Sequence, residues 1–86
     1  MLNLLNQKSM EIKVLGPGCP NCKILEKRVR DVAAKMNLDA SISKVEDIME
    51  IMTYNVMKTP ALVVNGHVVV KGRLPSEAEI ETFLTK

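Results

Sequence analysis

A chain of 86 residues, 47% of them hydrophobic, has enough apolar matter for one domain with one modest core, and too much for a disordered segment. Tyr54 and Phe83 are its only aromatic side chains and its formal net charge is +2. It therefore lacks the clustered basic face and aromatic platforms of a nucleic-acid binder. No stretch approaches the roughly 20 apolar residues of a membrane span.

Residues 1–9 show no clear period and are expected to form a mobile arm or a short extra strand, ahead of a single domain over 10–86. They lack the charged start and sustained apolar run of a signal peptide, which predicts a cytosolic protein. From 10 to 15 the residues alternate, Met10, Ile12 and Val14 against Glu11 and Lys13, the period of a strand. Gly16-Pro17-Gly18 breaks it and leads to Cys19-Pro20-Asn21-Cys22, which holds both cysteines of the chain. Pro20 suits a first helical turn, where its missing N–H costs nothing. Leu25, Val29, Val32, Ala33 and Met36 then recur at helical spacing, with Lys23, Lys27, Arg28 and Arg30 expected on a solvated face. Asn37 is a left-handed stop.

Residues 40–45 alternate again, so strand, helix and strand form a βαβ unit with parallel strands. Asp47 can cap a second helix, with Ile48, Ile51, Met52 and Val56 expected to line one side of it. Two β-branched runs, 61–65 and 67–71, flank Asn65-Gly66, a strong hairpin signal that leaves His67 facing solvent. Ser76 and Glu79 make a capping box ahead of a last helix with Ile80, Phe83 and Leu84 along its apolar stripe. The six methionines are expected to fill a core short of aromatics, Met57 having the second option of an adaptable docking surface near Thr59.

Cys-x-x-Cys between a strand and a helix is the arrangement of a redox dithiol. At a helix start, unpaired N–H groups and the positive dipole end favour a thiolate. Such placement lowers a cysteine pKa from about 8.5 to roughly 3.5–7.5. A structural staple is the weaker reading, because a disulfide closing so short a loop constrains little of the unfolded chain. The alternative is metal: the motif is half of a tetrahedral zinc site. His67 and the methionines are the other soft or nitrogen donors, so zinc would need a second chain, while thiolate with thioether would suit Cu(I) in a metallochaperone. An interaction module with incidental cysteines is a third class.

The order β-α-β-α-β-β-α, with the cysteine pair after the first strand and Thr59-Pro60 before the third, resembles the thioredoxin fold. In detail it is similar to the small redox-active disulfide proteins of the thioredoxin and glutaredoxin superfamily. The resemblance covers residues 10–86 and implies an α/β domain, a four-stranded mixed sheet flanked by helices. It implies thiol–disulfide oxidoreductase activity, with Cys19 the exposed nucleophile and Cys22 the buried resolving thiol. Pro60 would be the family's cis-proline, packed against the dithiol, and Thr59 would offer its backbone to a substrate peptide. Gly18, Pro20 and Asn21 would complete the substrate-binding rim. No cofactor is implied beyond the Cys19–Cys22 disulfide. The partners implied are a protein or small-thiol disulfide and a thiol reductase as electron donor, for a protein expected to be monomeric. The pattern departs from thioredoxins proper, which carry Trp before the first cysteine and Gly-Pro between the pair. Their buried aspartate would fall in the first strand, which offers Glu11, expected outward.

Overall fold

The computed structural model describes residues 10–85, so the arm or extra strand expected over 1–9 lies outside the described residues. The alternating run forms β1 (Met10–Leu15), and helix α1 (Pro20–Lys35) follows with Pro20 in its first turn. It stops where Asn37 takes a positive φ of 55°, a conformation Asn tolerates better than most residues. Strand β2 (Ala40–Val45) pairs parallel with β1 along its whole length. A five-residue helix, α2 (Ile48–Met52), is capped by Asp47, whose side chain accepts from the Met49 N–H. The hairpin is β3 (Ala61–Val64) and β4 (His67–Lys71), and α3 (Glu77–Leu84), with the expected capping box, is the last element among the described residues.

The sheet order is β2-β1-β3-β4, with β3 antiparallel to both neighbours. This is the four-stranded mixed sheet that the resemblance implies. Both of its faces are covered. Ile12, Val14, Leu62, Val64 and Val70 meet α1 (Leu25, Val29, Val32) and α3 (Ile80, Leu84) on one face. Leu15, Val45, Ala61 and Val63 meet Ile51 and Val56 on the other. The central strand β3 is accordingly buried at every residue. A bulge between Leu62 and Val63 leaves Val69 unpaired, so that Val69 and Val70, though adjacent, both pack on the first face.

Several expectations change here. The third strand stops at Val64, because Asn65 and Gly66 take positive φ of 50° and 86° as the turn itself. Asn65 also donates its N–H to the Glu11 carbonyl (2.7 Å) and accepts the Glu11 N–H on its side chain (2.9 Å), pinning the hairpin to β1. Arg28 is not merely solvated: its guanidinium donates to the Pro75 carbonyl (2.9 Å) and ties α1 to the start of α3. The second helix ends at Met52, so Tyr54 and Asn55 lie in the turn after it. Tyr54 accepts a hydrogen bond from the Lys13 ammonium (3.1 Å). Of the four apolar residues expected along one side there, Ile51 and Val56 are buried, whereas Ile48 and Met52 stand in solvent. Among the described residues the methionines do not fill the core. Met10 and Met36 pack at its margin, and Met49, Met52 and Met57 are exposed. A single helical turn buries one residue against a sheet, so period-based inference had little length to work on.

Candidate active site

The two cysteines lie at the carboxyl end of β1, where the chain turns into α1. Cys19 is the N-cap of that helix, with extended backbone (φ −67°, ψ 164°). Its sulfur takes the place that a serine or aspartate oxygen holds in ordinary caps, accepting the Cys22 N–H at 3.2 Å. No acidic residue occupies the first turn of this 16-residue helix, so nothing there offsets the positive end of the dipole. Cys19 and Cys22 are joined in a disulfide with their Cα atoms 5.0 Å apart. Cys19 is partly exposed, and Cys22 is buried at 5%.

Beneath the pair lies Gly16, which patterning identified only as a strand breaker. A Cβ there would overlap the Cys22 sulfur, come within 3.1 Å of Cys22 Cβ and stand 3.7 Å from Thr59 Cβ. Gly16 is therefore the bed of the inner cysteine, held in line by its N–H bond to the Val45 carbonyl (2.9 Å). Sequence alone shows the glycine but not what fills the space beside it. Gly18 is glycine for a different reason, a φ of +99°, since its missing Cβ would meet nothing closer than a Glu46 carboxylate oxygen at 3.8 Å.

Thr59 and Pro60 arrive from 40 residues away through the sheet register. Leu15 pairs with Ala61, so the residues just before β3 sit beside those just after β1. The Thr59–Pro60 peptide bond is cis, Pro60 is buried and Thr59 partly buried. Pro60 accepts the Gly72 N–H on its carbonyl (3.0 Å). Pro20 and Asn21 are exposed on the outer rim of the dithiol. The structure therefore gathers Gly18, Cys19, Pro20, Asn21, Cys22, Thr59 and Pro60 at one end of the sheet, where the inner strand β1 ends and the inner strand β3 begins.

Charge enters from one side. A small cavity of about 20 Å³, roughly the room of one water molecule, lies behind Cys22 and is lined also by Glu26, Lys44 and Glu46. Glu26 pairs with Arg30 (3.0 Å) and Lys44 (3.9 Å), and Lys44 reaches Glu46 (3.8 Å). No polar or charged side chain among the described residues is fully buried, and Glu11 points outward as expected. From sequence Glu26 belongs to the polar face of the helix and Lys44 to the second strand, and only the fold brings them to this cavity. No group of three or more His, Cys, Asp or Glu able to hold a metal occurs among the described residues, and His67 lies exposed at the start of β4. No helix among them is long and apolar enough to cross a membrane.

Residues 10–85 match the family model described as a thioredoxin domain. A thioredoxin of Methanothermobacter thermautotrophicus is 33% identical over 76 residues, which span 88% of this chain and 99% of that protein. A thioredoxin of Methanocaldococcus jannaschii is 34% identical over 73 residues, 85% of this chain and 84% of the relative. Among solved structures, a mutant thioredoxin of Halobacterium salinarum superposes with a TM-score of 0.67 at 22% identity, covering 94% of this chain and 76% of that one, a likeness of fold.

Proposed function

We propose, from the premise that this chain belongs to the thioredoxin domain family and is a protein-disulfide oxidoreductase, that its Cys19-Pro20-Asn21-Cys22 dithiol carries the reaction. The observation that supports the assignment is the Cys22 N–H directed at the Cys19 sulfur from the first turn of α1. In the reduced protein the same donor and dipole stabilise a Cys19 thiolate, the nucleophilic form of the thiol. Cys19 attacks one sulfur of the substrate disulfide, forming a mixed disulfide and expelling the first substrate thiolate. Cys22, giving up its proton, then attacks the Cys19 sulfur: the Cys19–Cys22 bond forms, the mixed-disulfide bond breaks, and the second substrate sulfur leaves with that bond's electron pair and takes up a proton. Over the cycle the substrate disulfide has gained two electrons and two protons. A thiol reductase restores the dithiol. The electrons reside in the cysteine pair, so this route calls on no further cofactor.

In this reading Gly18, Pro20 and Asn21 form the near wall against which substrate rests. Thr59 offers backbone for strand-like pairing from the opposite side, and Pro60, which has no N–H, leaves the thiolate without a competing donor. The cytosol, where reductases keep thiols reduced, is the compartment that suits such a couple.

Two measurements test this. The Cys19 thiolate should titrate below the free-thiol value of about 8.5 when followed by absorbance. Reduced Cys22→Ser protein should trap a mixed disulfide with an oxidised protein substrate, and Cys19→Ser should not. A Cys19 pKa at or above the free value, or trapping by the Cys19 variant, would overturn the assignment of roles.

A further inference from the structure

Three methionines close together in the chain stand in solvent: Met49 is 72% exposed, Met52 54% and Met57 88%. They supply three of the five large apolar side chains exposed among the described residues, and no leucine is in that set. What this surface displays is therefore sulfur more than hydrocarbon. Met49 and Met52 are three residues apart on α2, a spacing that puts side chains on one helix face with Cβ atoms about 5–6 Å apart. Met52 and Met57 wall one groove of about 230 Å³ that reaches Pro17 and Thr59. Met52 is thus the member common to both pairs. No carboxylate, imidazole or lysine lines the groove. From Val45 to Met57 the chain nevertheless carries Glu46, Asp47 and Glu50 and no basic residue, so the segment as a whole draws cations.

We infer that Met49, Met52 and Met57 form a thioether site for Cu(I), seated beside the dithiol and independent of it. Thioether sulfur is a soft neutral donor, and soft ligands select Cu(I). Calcium and magnesium require oxygen ligands, and zinc is held by thiolate, imidazole or carboxylate, none of which lines the groove. Three neutral donors leave the ion its single positive charge, which the carboxylates of the same segment balance from outside its coordination sphere. Methionine is unbranched with three rotatable bonds, enough to bring a sulfur from each of the three positions onto one ion. Exposure, unfavourable for an apolar side chain in water, is what a site open to an incoming ion needs. Binding is ligand exchange: solvent leaves Cu(I), S–Cu bonds form, and no electron changes hands. Pro17 precedes Cys19 by two residues and Thr59 flanks the bed of Cys22, so the ion sits near sulfurs that become stronger donors once reduced to thiolates. The thioethers hold it where the closed disulfide cannot.

The test uses the full-length oxidised protein, its Cys19–Cys22 bond closed, with Cu(I) kept reduced by ascorbate in the absence of oxygen. Competition against a chromogenic Cu(I) chelator gives stoichiometry and affinity, and NMR of methyl-labelled methionine shows which side chains respond. A single Cu(I) should bind, shifting the Met49, Met52 and Met57 methyl signals and leaving those of Met10 and Met36 in place. Met52→Leu keeps the apolar bulk and removes the sulfur. It should weaken binding at least about tenfold, since losing an outer-shell partner alone costs a metal site roughly 10–100-fold. Met49→Leu/Met52→Leu/Met57→Leu should abolish binding. Cys19→Ser/Cys22→Ser should bind as the wild type does, which separates this outcome from the fate of the dithiol assignment. A protein that takes up no Cu(I), binding that survives the triple leucine variant, binding lost with the cysteines, or Zn(II) held as tightly as Cu(I) would each overturn the proposal.

Discussion

Replacing Gly16 by alanine tests the bed of the inner cysteine. The added methyl would overlap the Cys22 sulfur and sit 3.1 Å from Cys22 Cβ. Gly16 and Cys22 are both buried, so neither has open space in which to yield. Overpacking of this kind costs about 1–3 kcal/mol. The cost should not fall evenly on the two redox states. In the disulfide the Cys22 sulfur is tethered to Cys19 and cannot turn aside, whereas a free thiol can change rotamer. If the oxidised protein carries about 1.4 kcal/mol more of the penalty than the reduced, the couple becomes about 30 mV more oxidising. Urea unfolding of each redox state and equilibration against glutathione read the two quantities separately. Cys22→Ala in the Gly16→Ala background should recover most of the lost stability, because the obstructing sulfur is gone, and a double-mutant cycle isolates that coupling. Equal destabilisation of both states with an unchanged potential, or no relief on removing the sulfur, would refute the reasoning.

Two further outcomes concern the start of α3. Ser76→Ala removes the oxygen that accepts the Glu79 N–H at 3.2 Å and should cost about 0.5–2 kcal/mol in urea unfolding; a change within error would show that the box contributes nothing. Hydrogen bonds from the Arg73 guanidinium (3.0 and 2.8 Å), then from the Ser76 N–H (3.0 Å), hold the Glu79 carboxyl down to about 2. Stability from this carboxylate is therefore complete above the ordinary carboxylate pKa and drains away as pH falls from there through about 2. An NMR titration of Glu79 placing its midpoint at the ordinary value would contradict this, as would Arg73→Ala leaving the midpoint unmoved.

What could be read without coordinates is whatever neighbouring residues settle among themselves. The strand of 10–15, the helix opening at Pro20, the Asn37 stop, the Asn65-Gly66 turn and the Ser76 box all rest on contacts or conformations a few residues wide. The reactive pair belongs to the same class, since the donor to Cys19 comes from three residues on. Tertiary structure decided the rest. It set Gly16 against Cys22, brought Thr59 and Pro60 beside them through the Leu15–Ala61 register, and carried Glu26 and Lys44 to the cavity behind the sulfur. It also turned Ile48 and Met52 outward, against their spacing. Caps and turns are local bargains between adjacent backbone groups, legible in a short window. Which side chain finds room, and which is left in water, depends on where distant elements meet, and no window of one helical turn carries that information.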